Sequence, residues 1–291
     1  MDPSPLNAAP LTAGLGNAEI ASCFGLRALA SGETGHFDQA IADLTEAIRL
    51  QPNRAEFYVH RRQIWFQTAR PDDAVSDFTE AIRLDPTSAM TYTFRAAVWQ
   101  NAKDFDKAIL DLTEAIRLCP DNDSFRFVRG SARYLKGELN QAIDDYTAAI
   151  EIDPDVVDAY IARAVAWRRK GEFEKAFLDL REAHRKDPTN AYPYQELAWL
   201  QSTASDARFR DGKKAVKNAL RACELNEGEK LAKLCTLAAA YAEAGNFDAA
   251  VEWQSKAVDL GNSEQRARWQ PRLSLYKANQ PYREEVVKSA E

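Results

Sequence analysis

"LTEAIRLQP", residues 44–52, returns as "FTEAIRLDP" at residues 78–86 and as "LTEAIRLCP" at residues 112–120. The interval carries more information than the wording. Pro52, Pro86, Pro120, Pro154 and Pro188 stand 34 residues apart, and a fixed period of this length marks a chain that stacks copies of one supersecondary unit. With proline at position 32, the units run 21–54, 55–88, 89–122, 123–156 and 157–190. Two looser units follow. One spans 191–229, with five added residues before "GKKAVKNALRACELN", and the other starts at Leu231 and includes "LCTLAAAYAEAGNFDAAVEWQSKAVDL".

Alanine fills position 20 of every unit (Ala40, Ala74, Ala108, Ala142, Ala176, Ala215, Ala250) and position 27 as well (Ala47, Ala81, Ala115, Ala149, Ala183, Ala222, Ala257). Residues seven apart share a helical face. Between them position 24 is large and apolar: Leu44, Phe78, Leu112, Tyr146 and Leu180. A small-large-small face lets a neighbouring helix settle against the backbone. The first half of each unit supplies a matching surface, with Phe24, Tyr58, Tyr92 and Tyr160 at position 4, mostly small residues at position 8, and Trp65, Trp99 and Trp167 at position 11. Each unit therefore reads as a helical hairpin. Gly35, Gly137, Gly171 and Gly245 fall where a left-handed residue would end its first helix. Ala69 and Lys103 replace glycine in the second and third units, so those turns should be slightly strained.

These aromatic, small, alanine and proline positions resemble the tetratricopeptide repeat (TPR) pattern over roughly residues 21–260. The resemblance implies an all-α, right-handed α-solenoid of about seven helical hairpins plus a C-terminal capping helix. It also implies that first helices line a concave groove in which many members bind peptides, and that few members are catalysts. The expected organisation is a flexible leader at 1–16, five regular units at 17–190, two divergent units at 191–260, and a capping helix with its tail at 261–291. A terminal helix using Trp269, Leu273 and Tyr276 would cover the last repeat's apolar face, and Pro271 should start or kink it.

Composition narrows the function. A net charge of −6 argues against a nucleic-acid binder, whose footprint is basic. Four cysteines form no CxxC pair and three histidines lack metal-ligand spacing, so no metal or cofactor is expected. Cys23, Cys223 and Cys235 lie in expected helices, where a lone thiol acts as a small apolar filler, and reduced thiols suggest a cytoplasmic setting. "IASC" at 20–23 resembles a lipoprotein cleavage box, yet nothing upstream is basic, and Asn17 and Glu19 interrupt any apolar run. No apolar stretch is long enough for a membrane span. Without a phosphate loop or nucleophile elbow, an enzyme is not expected.

A second periodicity runs beside the core pattern. Position 7 is arginine in the five regular units (Arg27, Arg61, Arg95, Arg129, Arg163), and position 23 is aspartate in the same five (Asp43, Asp77, Asp111, Asp145, Asp179). Both vanish together afterwards, leaving Leu197 with Asn218 and Leu237 with Trp253. Joint loss points to an ion-pair ladder rather than a phosphate track, because losing one partner alone would strand a partly buried charge.

The remaining first-helix stripe, positions 2, 5, 9, 12 and 13, is assigned by the resemblance to the groove. It offers Gln63, Phe66 and Gln67, then Gln100 and Asn101, then Phe127, Ser131 and Tyr134. Arg168 and Arg169 follow, and after them Tyr192, Gln195 and Trp199. Aromatics supply contact area, amides pair with a peptide backbone, and the two arginines suit an acidic side chain or carboxylate. A protein or peptide partner is the expectation, with neither nucleic acid nor membrane; self-association through the repeat ends is the alternative, so a homo-oligomer stays open. The carboxylate clamp of chaperone adaptors is missing, since Val59, Gln63, Phe94, Ser124 and Val128 occupy its places. The long turn of the sixth unit carries Arg208, Arg210, Lys213 and Lys214, with Asp211 placed to cap the next helix.

Overall fold

The computed structural model describes residues 16–67, 70–225 and 230–287. All regular structure among these residues is helical. The helices are α1 (Asn17–Glu33), α2 (Phe37–Leu50), α3 (Ala55–Gln67), α4 (Pro71–Leu84), α5 (Ala89–Asn101), α6 (Phe105–Leu118), α7 (Asp123–Lys136) and α8 (Leu139–Ile152). They continue with α9 (Val157–Arg169), α10 (Phe173–Lys186), α11 (Ala191–Thr203), α12 (Gly212–Leu225), α13 (Lys230–Glu243), α14 (Phe247–Leu260) and α15 (Ser263–Lys277). The leader up to residue 15 and the turn residue Ala69 lie outside the described residues.

The chain forms two compact units, Met1–Ala132 and Arg133–Glu291, with the boundary inside α7. In the first unit α1/α2, α3/α4 and α5/α6 pair as hairpins, and α2 packs on α3 and α4 on α5. In the second, α9/α10, α11/α12 and α13/α14 are hairpins, and α10 packs on α11, α12 on α13 and α14 on α15. Each is a solenoid, an all-α stack in which a hairpin touches its neighbours.

The alanine columns explain the stacking. All the alanines at positions 20 and 27 are no more than 2% exposed, as are Leu44, Phe78, Leu112, Tyr146 and Leu180 between them. A larger residue in either column would push the backbones apart. Hairpin turns close by one device. Gly35, Gly137, Gly171 and Gly245 have φ between 79° and 94°, and the next residue's N–H reaches back to a first-helix carbonyl, as His36 does to Ser31 at 2.8 Å. Lys103 adopts φ 59° without being glycine, so the strain expected there is present. Between hairpins, the residue before each proline leaves the helical region, with φ from −127° to −135° at Gln51, Asp85, Cys119, Asp153 and Asp187.

The Arg/Asp ladder is a set of ion pairs within hairpins. Arg27 with Asp43, Arg61 with Asp77, Arg95 with Asp111, and Arg163 with Asp179 each form two parallel hydrogen bonds of 2.6–2.9 Å. A third nitrogen bridges to the preceding hairpin, where Arg61, Arg95 and Arg163 donate to Thr45, Thr79 and Thr147 at 3.0 Å. Where the pair is lost, both members are replaced together: Asn218 donates to Gln201 at 2.9 Å, and Leu237 and Trp253 join one apolar cluster.

Helix α15 lies over the last hairpin, with Tyr276 against Ala238, Ala242 and Ala250, and Trp269 against Cys235 and Ala257. Its start is set by Asn262, whose side chain accepts from Gln265 N–H while Gln265 returns the bond. Of the two places expected for Pro271, the start of the helix or a kink within it, the proline takes the interior. Cys23, expected as a filler, is exposed, whereas Cys235 is buried. No described helix is long and apolar enough to cross a membrane.

Candidate functional site

In the first unit the stripe residues sit on α3, α5 and α7. The side chains of Gln63, Phe66 and Gln67 lie outside the described residues. Gln100 donates to the Val128 carbonyl at 3.4 Å and so ties α5 to α7, while Asn101 is exposed at the end of α5. Phe127 is half-buried, and Ser131 donates back to the Phe127 carbonyl at 3.0 Å. A cavity of about 210 Å³ opens between α1 and α3, lined by Leu29, Gly32, His60 and Ile64.

The second unit brings its stripe residues into closer association. Arg168, Gln195 and Trp199 line one cavity of about 280 Å³ together with Arg268, Arg272 and Glu284. Tyr192 is 41% exposed and does not line it. Arg169 lies 5.0 Å from the centre of the Tyr134 ring, a cation over an aromatic face.

The cavity is bounded by a segment whose place the sequence does not announce. Helix α15 ends at Lys277, and residues 281–287 run on without helical structure. They cross the C-terminal ends of α9 and α11. Glu284 N–H donates to the Thr203 carbonyl at 2.9 Å and Val287 N–H to the Arg169 carbonyl at 2.8 Å. Arg283 donates to the Ser202 carbonyl at 3.1 Å and pairs with Glu243 at 2.7 Å. The Glu284 carboxylate accepts from Arg168 and, at 3.1 Å, from Trp199 Nε1. Tyr282 lies 6.0 Å from the Trp199 ring, and the Arg272 guanidinium stands 4.8 Å from Trp199 and 4.5 Å from Tyr282.

Arg168 is only 8% exposed and is held by two carboxylates of the same chain, Glu284 and, at 3.2 Å, Glu196. Burial pushes the Glu196 carboxyl above the usual range, and the nearby Glu284 charge adds to the rise against the pull of Arg168. "PYREE" at 281–285 belongs to the tail that follows the terminal helix; the sequence signal for its path is the alternation of aromatic, acidic and aliphatic residues after Pro281, which suits non-helical chain.

The long turn of the sixth hairpin is held by its own acids and by Glu243 at the end of α13. Arg208 pairs with Asp206 at 2.7 Å, Arg210 with Glu243 at 3.2 Å and Lys214 with Asp211 at 3.0 Å. Asp211 also accepts from Lys214 N–H at 3.0 Å, closing the start of α12. Phe209 anchors the turn on Phe173, with ring centres 5.6 Å apart.

Family models described as tetratricopeptide repeat match residues 26–89 and 234–261, and one described as TPR repeat matches 130–171. Among solved structures, MamA is 24% identical over 59% of this chain and 93% of its own, with a TM-score of 0.56. YrrB, titled a TPR protein with an unusual peptide-binding site, is 20% identical over 65% and 97%, at 0.56. Pseudomonas aeruginosa pilF is 17% identical over 73% and 95%, also at 0.56. No curated protein matches the sequence. At these identities the likeness to solved structures concerns the fold.

Proposed function

We infer that this tetratricopeptide-repeat protein is a non-catalytic adaptor that holds an extended segment of a protein partner along its first-helix stripe. One observation carries the reading. The ends of α9 and α11 already hold a non-helical segment through main-chain and side-chain bonds together, which is how groove-lining surfaces recognise peptides. The exposed or half-buried amides and aromatics on α5 and α7, including Asn101, Phe127 and Tyr134, supply the same chemistry. Gln63, Phe66 and Gln67 on α3 belong to the stripe by position. A structural relative, YrrB, is titled for peptide binding, which favours the same use here. Net negative charge directs the reading to protein rather than nucleic acid, and free cysteines suit a reducing, cytoplasmic compartment.

Affinity capture from the source lysate tests this, using wild type and a Phe127→Ala/Tyr134→Ala variant first shown to keep its helicity and melting temperature. A partner held by wild type and lost by the variant is expected. Capture that the variant leaves unchanged would remove the groove from the interface. The second reading, self-association, draws on the exposure of Leu26 (68%) and Leu29 (40%) on α1; mass rising with concentration in light scattering would support it.

A further inference from the structure

Segment 281–287 makes two kinds of contact, and they demand different things of a sequence. Its main-chain bonds, from Glu284 to Thr203 and from Val287 to Arg169, are open to any residue but proline. Its side-chain contacts are selective: those of Tyr282, Glu284 and Val286 fall on alternate residues, and Arg283 between them reaches the Ser202 carbonyl and Glu243. Tyr282 faces Trp199 and Arg272. Glu284 meets Arg168 and the Trp199 indole N–H. Val286 joins the apolar cluster around Phe173, Leu180 and Leu200, and lies so close over Gly171 that a Cβ there would come within 3.2 Å of it. Glu285, between these positions, is exposed.

The receiving face matches this alternation in charge as well as shape. Arg168, Arg268 and Arg272 line the cavity against Glu196, so the surface without the segment is short of negative charge, which Glu284 supplies. The cavity of about 280 Å³ remains beside Tyr282 and Glu284. An incoming chain has a foothold there before the segment leaves.

We propose that this face is a receptor for an extended partner segment with an aromatic residue, an acidic residue two positions on and an aliphatic residue two further, and that residues 282–287 are its internal occupant, displaced when such a segment binds. The proposal rests on the groove-binding reading and names its ligand chemistry. A short tether keeps the occupant at an effective concentration on the order of millimolar. The intact chain therefore binds such a ligand more weakly than its bare face would.

The probe is a fluorescent peptide of residues 280–287, QPYREEVV, titrated by anisotropy onto the full chain and onto its Tyr282→Ala/Glu284→Gln variant. The variant should bind at least about tenfold more tightly than wild type. A peptide carrying Glu284→Gln should bind it about tenfold more weakly, as befits loss of a charge-assisted hydrogen bond. A variant with native melting that binds no peptide, or binds both peptides alike, would overturn the proposal. So would wild type whose mass doubles with concentration while the variant's does not, because the occupant would then be a second copy.

Should the variant fold poorly, hydrogen exchange on wild type decides. Saturating peptide is expected to strip protection from the Glu284 and Val287 amides, and retained protection would mark the segment as a fixed brace. Failure here, with partner capture still dependent on Phe127 and Tyr134, would leave the adaptor reading standing. Failure of both would remove it.

Discussion

Arg95 holds Asp111, across the hairpin, through two parallel hydrogen bonds of 2.9 and 2.7 Å, and directs its remaining nitrogen 3.0 Å to Thr79 of the preceding hairpin. One side chain thus joins two neighbouring hairpins. Asp111 is 7% exposed and the Arg95 side chain 18%, so the two losses should differ. Arg95→Ala strands a buried carboxylate and should cost about 3 kcal/mol. Asp111→Ala leaves an arginine that still reaches Thr79 and water, and should cost about 1–2 kcal/mol. In urea denaturation the single losses should sum to more than the double variant loses. Strict additivity would show that the two residues do not act as a pair.

Lys103 carries φ 59° at a turn where four other hairpins place glycine. Left-handed backbone costs a non-glycine residue about 1 kcal/mol, so Lys103→Gly should stabilise the protein by roughly 0.5–1 kcal/mol, less than the full strain because glycine is freer when unfolded. Gly137→Ala, at φ 94°, should shift the denaturation midpoint the other way. Equal signs for the two variants would contradict this account.

Gly212 opens α12 where the turn between α13 and α14 approaches it. A Cβ at this position would stand 2.5 Å from Ala244 N and 2.6 Å from Ala244 Cα. Both are backbone atoms that no rotamer change can move aside. Gly212→Ala should therefore destabilise by about 1–3 kcal/mol, as overpacking does, with no loss of secondary structure at low temperature. An unchanged melting curve would mean that the two elements approach less closely in solution.

Glu196 should titrate above its usual value of 4.5, through burial first and Glu284 second. A carboxyl whose folded value is raised holds its proton longer in the folded chain, so folding stability falls as pH rises from about 4.5 through the folded value, and the loss is complete above it. Carboxyl NMR should show the raised midpoint in wild type and a lower one in Glu284→Gln, where the repelling charge is gone. Glu196→Gln should remove this contribution from the pH dependence of the urea midpoint. A Glu196 midpoint indifferent to Glu284 would separate the two groups.

Much of this protein was determined within a window of 34 residues. The alanine columns, the turn glycines, the prolines and the Arg/Asp ladder are legible because each hairpin touches only its neighbours, so its packing must be written at short, repeating separations. The thrice-written "TEAIRL" even placed the bridging threonine, although its partner arginine in the next hairpin became clear only in three dimensions. The candidate site divides differently. Its helices, and residues such as Arg168 and Trp199, followed from the repeat register. What they touch did not, because Glu284 meets Arg168 across 116 positions, and an aperiodic segment settles on whatever complementary surface the stack leaves uncovered. The approach of Gly212 to Ala244 arose the same way, from how one irregular hairpin sits on the next. Periodic spacing encodes neighbours, and only the assembled surface decides where a segment outside the period comes to rest.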